Sequence, residues 1–208
     1  MSELNPNIKI AKSRGIDLPI MYVYLAGYMS GEKLNETMEW RKKPREYYKN
    51  YEPIVCGDTH EVVGYESFPI AFLDPYNGKE FNSIDQKGLT SSISSNAIFD
   101  GDLMSVKKAD LIVANIDTFG SDRPMIGTYW ELGINTALGK PFIIIAPKKR
   151  AGDIFDENGN KIGEYTYFDL ATKHPFLNRA SVIVESVDQL IKEKHLETFY
   201  RRIAGAIY

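Results

Sequence analysis

Three short apolar runs set the limits on what this chain can fold into. They are "PIMYVYLAGYMSG" at 19–31, "DLIVANI" at 110–116 and "PFIII" at 141–145. Each is rich in β-branched and aromatic residues with no polar alternation, the pattern of a strand buried on both faces. Between and after them lie helix-forming stretches: "KLNETMEWRKKPREYYKN", "SISSNAIFDGDLMSVKKAD", and a helix that runs directly into "PFIII". Strands alternating with helices call for a parallel sheet covered on both sides, an α/β doubly wound fold of about five strands. Such sheets bind ligands outside the carboxyl ends of their strands, so the loops after Gly27, Ile116 and Ala146 are where chemistry is sought.

The remaining segments fill in around this frame. Residues 1–20 carry turn formers and polar residues and are expected to be a loose arm. Residues 21–208 are expected to form one domain, with 57–91 as an elaborated loop or hairpin insertion. Pro44 is expected to kink or split the helix that contains it. The Gly- and Asp-rich stretch after Ala146 reads as turns, followed by a short strand "ASVIVES" and one closing helix "VDQLIKEKHLETFYRRIAGAI".

Composition excludes several classes of function. No apolar run approaches the ~20 residues needed to cross a bilayer, so no membrane partner is expected. With no apolar signal core at the start and one cysteine, Cys56, a cytoplasmic location is expected. No Cys/His cluster has metal-binding spacing, and neither a metal nor a cofactor is expected. A net charge of -3 gives no general attraction for a nucleic acid polymer. The basic runs "RKKPR" and "PKKR" read as solvated surface.

Glu131 stands out against this background. It lies in "MIGTYWELGINTALGKPFIII", where its helical neighbours are Gly127, Thr128, Ile134 and Asn135, none of them a cation. The plain reading is a helix former at the edge of an apolar stripe with its head in water. Against that, Gly127 and Thr128 leave space at the start of the helix for a small molecule facing the carboxylate. Asp102, in "FDGDL", reads as opening a neighbouring helix, with Asp100 the likelier cap, which would leave Asp102 free to face the same space. Tyr24 is either a core residue with a satisfied hydroxyl or a donor that holds a carboxylate ionised. Two carboxylates and a phenol over a cleft suit substitution at a sugar carbon, with one carboxylate as nucleophile.

The segments "VYLAG" (23–27), "FDGDL" (99–103), "ADLIVANI" (109–116), "GTYWELGINTALGKPFIII" (127–145) and the terminal "GAIY" resemble the nucleoside 2-deoxyribosyltransferases and their N-glycosidase relatives. The resemblance implies a flavodoxin-like or Rossmann-like sheet and an enzyme of nucleotide salvage. It implies that Glu131 forms a covalent deoxyribosyl intermediate, that Tyr24 orients it, and that Asp102 contacts the base and supports proton transfer. It further implies substrate contacts from Gly27, Tyr28, Met125 and Gly127. The substrates would be a deoxynucleoside and a free nucleobase. The active sites would be shared in a homo-oligomer, a dimer or trimer of dimers, with Asn178 and the terminal Tyr208 entering a neighbour's site. Met125 departs from the family pattern, which often has an aspartate there to hold the sugar hydroxyls; Asp122 lies nearby.

Two other readings compete. One keeps Glu131 but lets water attack, giving a glycosidase acting on deoxynucleosides or their 5-monophosphates, with the serines of "TSSISSN" near a phosphate. The other is a non-catalytic nucleotide sensor, disfavoured by the lack of a GxGxxG or P-loop motif.

Overall fold

The computed structural model describes residues 9–13, 16–29, 34–49, 53–55, 62–65, 69–75, 84–85, 88–89, 95–121 and 124–205. Strands β1 (Lys9–Ser13) and β2 (Ile16–Gly27) form an antiparallel hairpin, so much of the expected N-terminal arm is strand. Helix α1 (Leu34–Tyr47) follows, then β3 (Pro53–Val55) and β4 (Val62–Tyr65), which pair with each other. Strand β5 (Ile70–Leu73) comes next, then a small hairpin of β6 (Ile84–Asp85) and β7 (Gly88–Leu89). Helix α2 (Ser95–Lys108), strand β8 (Leu111–Asn115), helix α3 (Ile126–Ala137) and strand β9 (Phe142–Ile145) form the central βα units. A hairpin of β10 (Arg150–Phe155) and β11 (Lys161–Thr166) leads to α4 (Tyr167–Lys173). Strand β12 (Val182–Val184) and helices α5 (Val187–Lys192) and α6 (His195–Gly205) complete the described chain.

Five strands run parallel in the order β5-β2-β8-β9-β12, and β1 adds the antiparallel pairing to β2. The chain leaves β2 for β5 on one side and returns to β8 on the other. The direction of winding therefore reverses between β2 and β8, which is where a doubly wound sheet opens a crevice.

Strand periodicity divides the core in two. Tyr24, Ala26, Ile112, Ala114 and Ile144 point to one face, where Val106 of α2 and Leu132 of α3 cover them. Val23, Leu25, Leu111, Val113, Ile143 and Ile145 point to the other, beneath Trp40, Leu190, Leu196 and Phe199. Tyr24 faces α3 because it sits on the same side of the pleat as Ala26.

Several expectations are corrected. Helix α1 runs through Pro44 unbroken, because Trp40, Pro44 and Tyr48 are buried at successive four-residue steps and hold that face on the sheet. Within the stretch expected to be an insertion, β5 is a strand of the main sheet beside β2. The stretch read as turns after Ala146 holds the β10–β11 hairpin. The closing helix is broken between α5 and α6, where Lys194 takes a left-handed φ of 55. Asp100 is no cap: α2 starts at Ser95, leaving Asp100 exposed inside the helix. No helix among the described residues is long and apolar enough to cross a membrane.

Candidate active site

A cavity of about 190 Å³ opens at the winding reversal. Gly27, Tyr28 and Met29 line it from the end of β2, Pro75 from beyond β5, and Asp102 from α2. Pro124, Met125 and the first turn of α3, down to Glu131, make the remaining wall. The sequence-expected residues Gly27, Tyr28, Asp102, Met125, Gly127 and Glu131 thus converge on one space.

Glu131 does not have its head in water. It is 7% exposed, and the Tyr24 hydroxyl, itself fully buried, donates to Glu131 Oε1 at 2.7 Å. A buried carboxylate is costly unless it accepts hydrogen bonds, and the phenol supplies one from the strand beneath. Burial pushes the Tyr24 phenol well above its ordinary value, and the charges of Glu131 and Asp102 push it further. Tyr24 is therefore a fixed neutral donor rather than a base. Asp102 is half-buried in the helix interior, not at its opening, and faces the cavity from there.

The backbone at the floor leaves no room for side chains. A Cβ on Gly27 would lie 2.9 Å from Trp40 Cζ2 and 3.1 Å from the Asn115 carbonyl oxygen, so only glycine lets β2, α1 and β8 meet there. The two loops that flank the cavity are tied together by a hydrogen bond between the hydroxyls of Tyr28 and Ser121. Asp117 stiffens the loop after β8, accepting from the Phe119 amide at 2.7 Å and pairing with Lys149.

Met125 occupies the N-cap of α3, 4% exposed, and offers no side-chain hydrogen bond to the helix. Together with Met29, Pro75, Pro124 and Ile126 it adds carbon and sulfur to the lining of the cavity. Asn178 is exposed in the turn Leu177–Arg179 and does not line the cavity of its own chain. Tyr208, Asp122, Cys56 and most of "TSSISSN" lie outside the described residues. Among the described residues no group of three or more His, Cys, Asp or Glu is placed to hold a metal ion.

Sequence reasoning missed Asp74 and Pro75. Their signal was a strand end, "AFLDP", hidden in a stretch taken for an insertion. It also missed Arg41, read as solvated within "RKKPR" but only 1% exposed.

The fold is that of an α/β protein of the doubly wound type, with a cavity and a buried carboxylate at the switch of winding. The nucleoside 2-deoxyribosyltransferase family model matches residues 23–163, which is more than half the chain. The chain belongs to that family, whose members are glycosyl-transferring enzymes. Among solved structures it is similar to a 2-desoxiribosyltransferase from Leishmania mexicana, with 16% identity and a TM-score of 0.50 over 83% of this chain and 95% of that one. It is also similar to a conserved protein from Enterococcus faecalis V583, with 16% identity and a TM-score of 0.49 over 86% of this chain and 99% of that one. Likeness at this identity concerns the fold. No curated protein matches the sequence.

Proposed function

We propose that this protein transfers a 2-deoxyribosyl group from one nucleobase to another through a covalent intermediate on Glu131. The observation that carries the reading is the Tyr24–Glu131 hydrogen bond of 2.7 Å at the wall of a cavity that Asp102 also lines. In the first step a Glu131 carboxylate oxygen bonds to the anomeric carbon. The bond from that carbon to the base nitrogen breaks, its electron pair goes to the base, and the base takes a proton from the Asp102 carboxyl, which the second step returns. In the second step a nitrogen of the incoming base attacks the same carbon, its N–H proton passes to Asp102, and Glu131 leaves with the electron pair of the ester bond. A sugar without a 2-hydroxyl reaches an oxocarbenium-like transition state readily, and a carboxylate in a dry site stabilises that charge strongly.

The cavity is smaller than the roughly 300–1,000 Å³ typical of drug-sized sites, which suits a sugar held inside with its base at the mouth. Tyr24 aims the Glu131 oxygen, and Gly127 keeps the approach to it open. We assign Met125 and Gly27 to the walls around the sugar, and Tyr28 to holding the loop between them.

Shared sites in a homo-oligomer, a dimer or trimer of dimers, belong to the same reading, with Asn178 and Tyr208 supplied by a neighbour. Exposed apolar side chains support association: Met104 of α2 is 70% exposed, Ile126 of α3 71% and Phe176 77%. Met104 and Ile126 lie on the helices that carry Asp102 and Glu131, and Phe176 lines an apolar groove of about 680 Å³ between α3 and α4.

The test is chromatographic. A deoxynucleoside is mixed with a second free base, and the expected product is the deoxynucleoside of that base, formed by the parent and not by Glu131→Ala. Release of free deoxyribose unaffected by any added base would replace transfer with hydrolysis. A parent that turns over no deoxynucleoside would end the enzymatic reading.

A further inference from the structure

Arg41 is the largest fully buried side chain among the described residues, and it is charged. A buried guanidinium is strongly disfavoured unless its donors are used, and apolar replacement of such groups is often harmless to stability. Its partners therefore indicate what it does. Arg41 Nη2 donates to the Gly27 carbonyl at 2.9 Å, and Nη1 to those of Thr37 at 2.5 Å and Tyr28 at 3.4 Å. Nε donates to the Leu25 carbonyl at 3.5 Å and lies 3.8 Å from Asp74 Oδ1. Asp74, also buried, is held at its other oxygen by Arg45 at 2.9 Å.

The carbonyls of Leu25, Gly27 and Tyr28 end β2 and begin its loop, and Asp74 directly precedes Pro75. Gly27, Tyr28 and Pro75 all line the cavity. One planar fork on α1 thus clamps the carboxyl ends of two adjacent parallel strands. Lysine, a point donor on a flexible stem, cannot satisfy several carbonyls and a carboxylate in fixed directions at once.

We propose that Arg41 is a positioning residue for the reaction: through the carbonyls of Gly27 and Tyr28 and through Asp74 it fixes the wall that holds the sugar in line with Glu131. This rests on the deoxyribosyl-transfer reading above. Arg41 acts through the loop and not on the substrate. Its contribution is to orientation, where displacements on the order of 1 Å cost about 100-fold in rate.

The experiment compares the parent with Arg41→Lys, Arg41→Met and the neighbouring surface variant Lys43→Ala, whose residue pairs with Asp188. Steady-state kinetics of base exchange are read together with amide hydrogen exchange of the intact protein. For Arg41→Lys, kcat is expected to fall about 100-fold, the loss lying in kcat more than in KM. Faster exchange is expected in segments 25–29 and 73–75 with β9 and β12 unchanged, while Lys43→Ala matches the parent. Should Arg41→Met fail to fold, Arg41→Lys alone decides. Unchanged kcat in Arg41→Lys, or faster exchange spread evenly over the sheet, overturns the proposal and leaves Arg41 a structural residue. If the parent turns over no deoxynucleoside, the transfer reading fails by itself. The clamp is then still judged by whether exchange rises at 25–29 and 73–75 alone.

Discussion

The molecule contains two buried tyrosine–glutamate pairs on opposite faces of its sheet. Tyr24 donates to Glu131 at 2.7 Å, and Tyr48, just beyond α1, donates to Glu197 of α6 at 2.6 Å. Their burial is similar: Tyr24 is 0% and Glu131 7% exposed, Tyr48 and Glu197 4% each. Burial is the main cause that pushes both phenols upward, with the partner carboxylate adding to it in each. What separates the pairs is position. Glu131 stands where the winding of the sheet reverses, with a cavity and a second carboxylate, Asp102, before it. Glu197 is buried on α6 against Tyr48, a member of the apolar cluster that also holds Leu196 and Phe199, and neither member of its pair lines either cavity described above. On the proposed reading, the same chemical pair serves as reactive equipment in one place and as a polar rivet in the other.

Exchanging each acid for its amide tests that division most severely. Glu131→Gln should lower turnover by about 10⁴-fold or more, as removal of a nucleophile does, while thermal stability stays near the parent's. Glu197→Gln should do the reverse, lowering the melting temperature and leaving kcat where it was. Equal loss of turnover in both, measured by base exchange, would dissolve the distinction. Removal of the phenols comes next in size. Tyr24→Phe takes away one fixed donor to Glu131 and should reduce kcat by about 100-fold, whereas Tyr48→Phe should not reduce it.

That one pair was legible in the sequence and the other was not has a physical reason. Glu131 was conspicuous because its helical neighbours are glycine, threonine and isoleucine, with no cation to explain a carboxylate there. Tyr24 was open between core packing and holding a carboxylate, and it was the family resemblance that paired it with Glu131. The sheet itself was legible because runs such as "DLIVANI" admit few alternatives. Glu197 sits in "KHLETFYRR", among charges that look like ordinary surface, and its burial depends on α6 packing against a segment about 150 residues earlier. Arg41 was hidden likewise: "RKKPR" looks solvated throughout, but helical spacing turns Arg41 inward while Lys42 stays exposed. Strand β5 was lost because four residues, "IAFL", between turn formers carry too little pattern to outweigh their surroundings. Long-range pairing decides such cases, and a local window does not contain it.

The smallest effects separate the pairs through stability. Deleting the Tyr48 hydroxyl leaves Glu197 short of a donor and should cost roughly 1–3 kcal/mol, read as the shift in denaturant midpoint at constant slope. The alkaline limb gives an independent check. Both phenols are raised in the folded protein above the unfolded value of about 10, so each contributes stability that is fully present below that pH. The contribution is lost as pH climbs from there toward the folded value, because the unfolded chain gives up the proton first. The parent's stability should therefore decline above about pH 10, with Tyr24→Phe and Tyr48→Phe each declining less steeply. The two pairs lie on opposite faces of the sheet, so their effects should add in the double variant. A Tyr48→Phe protein that keeps the parent's full alkaline slope would mean that this phenol ionises as freely as one in water. It would then no longer be the sealed counterpart against which the Tyr24–Glu131 site is read.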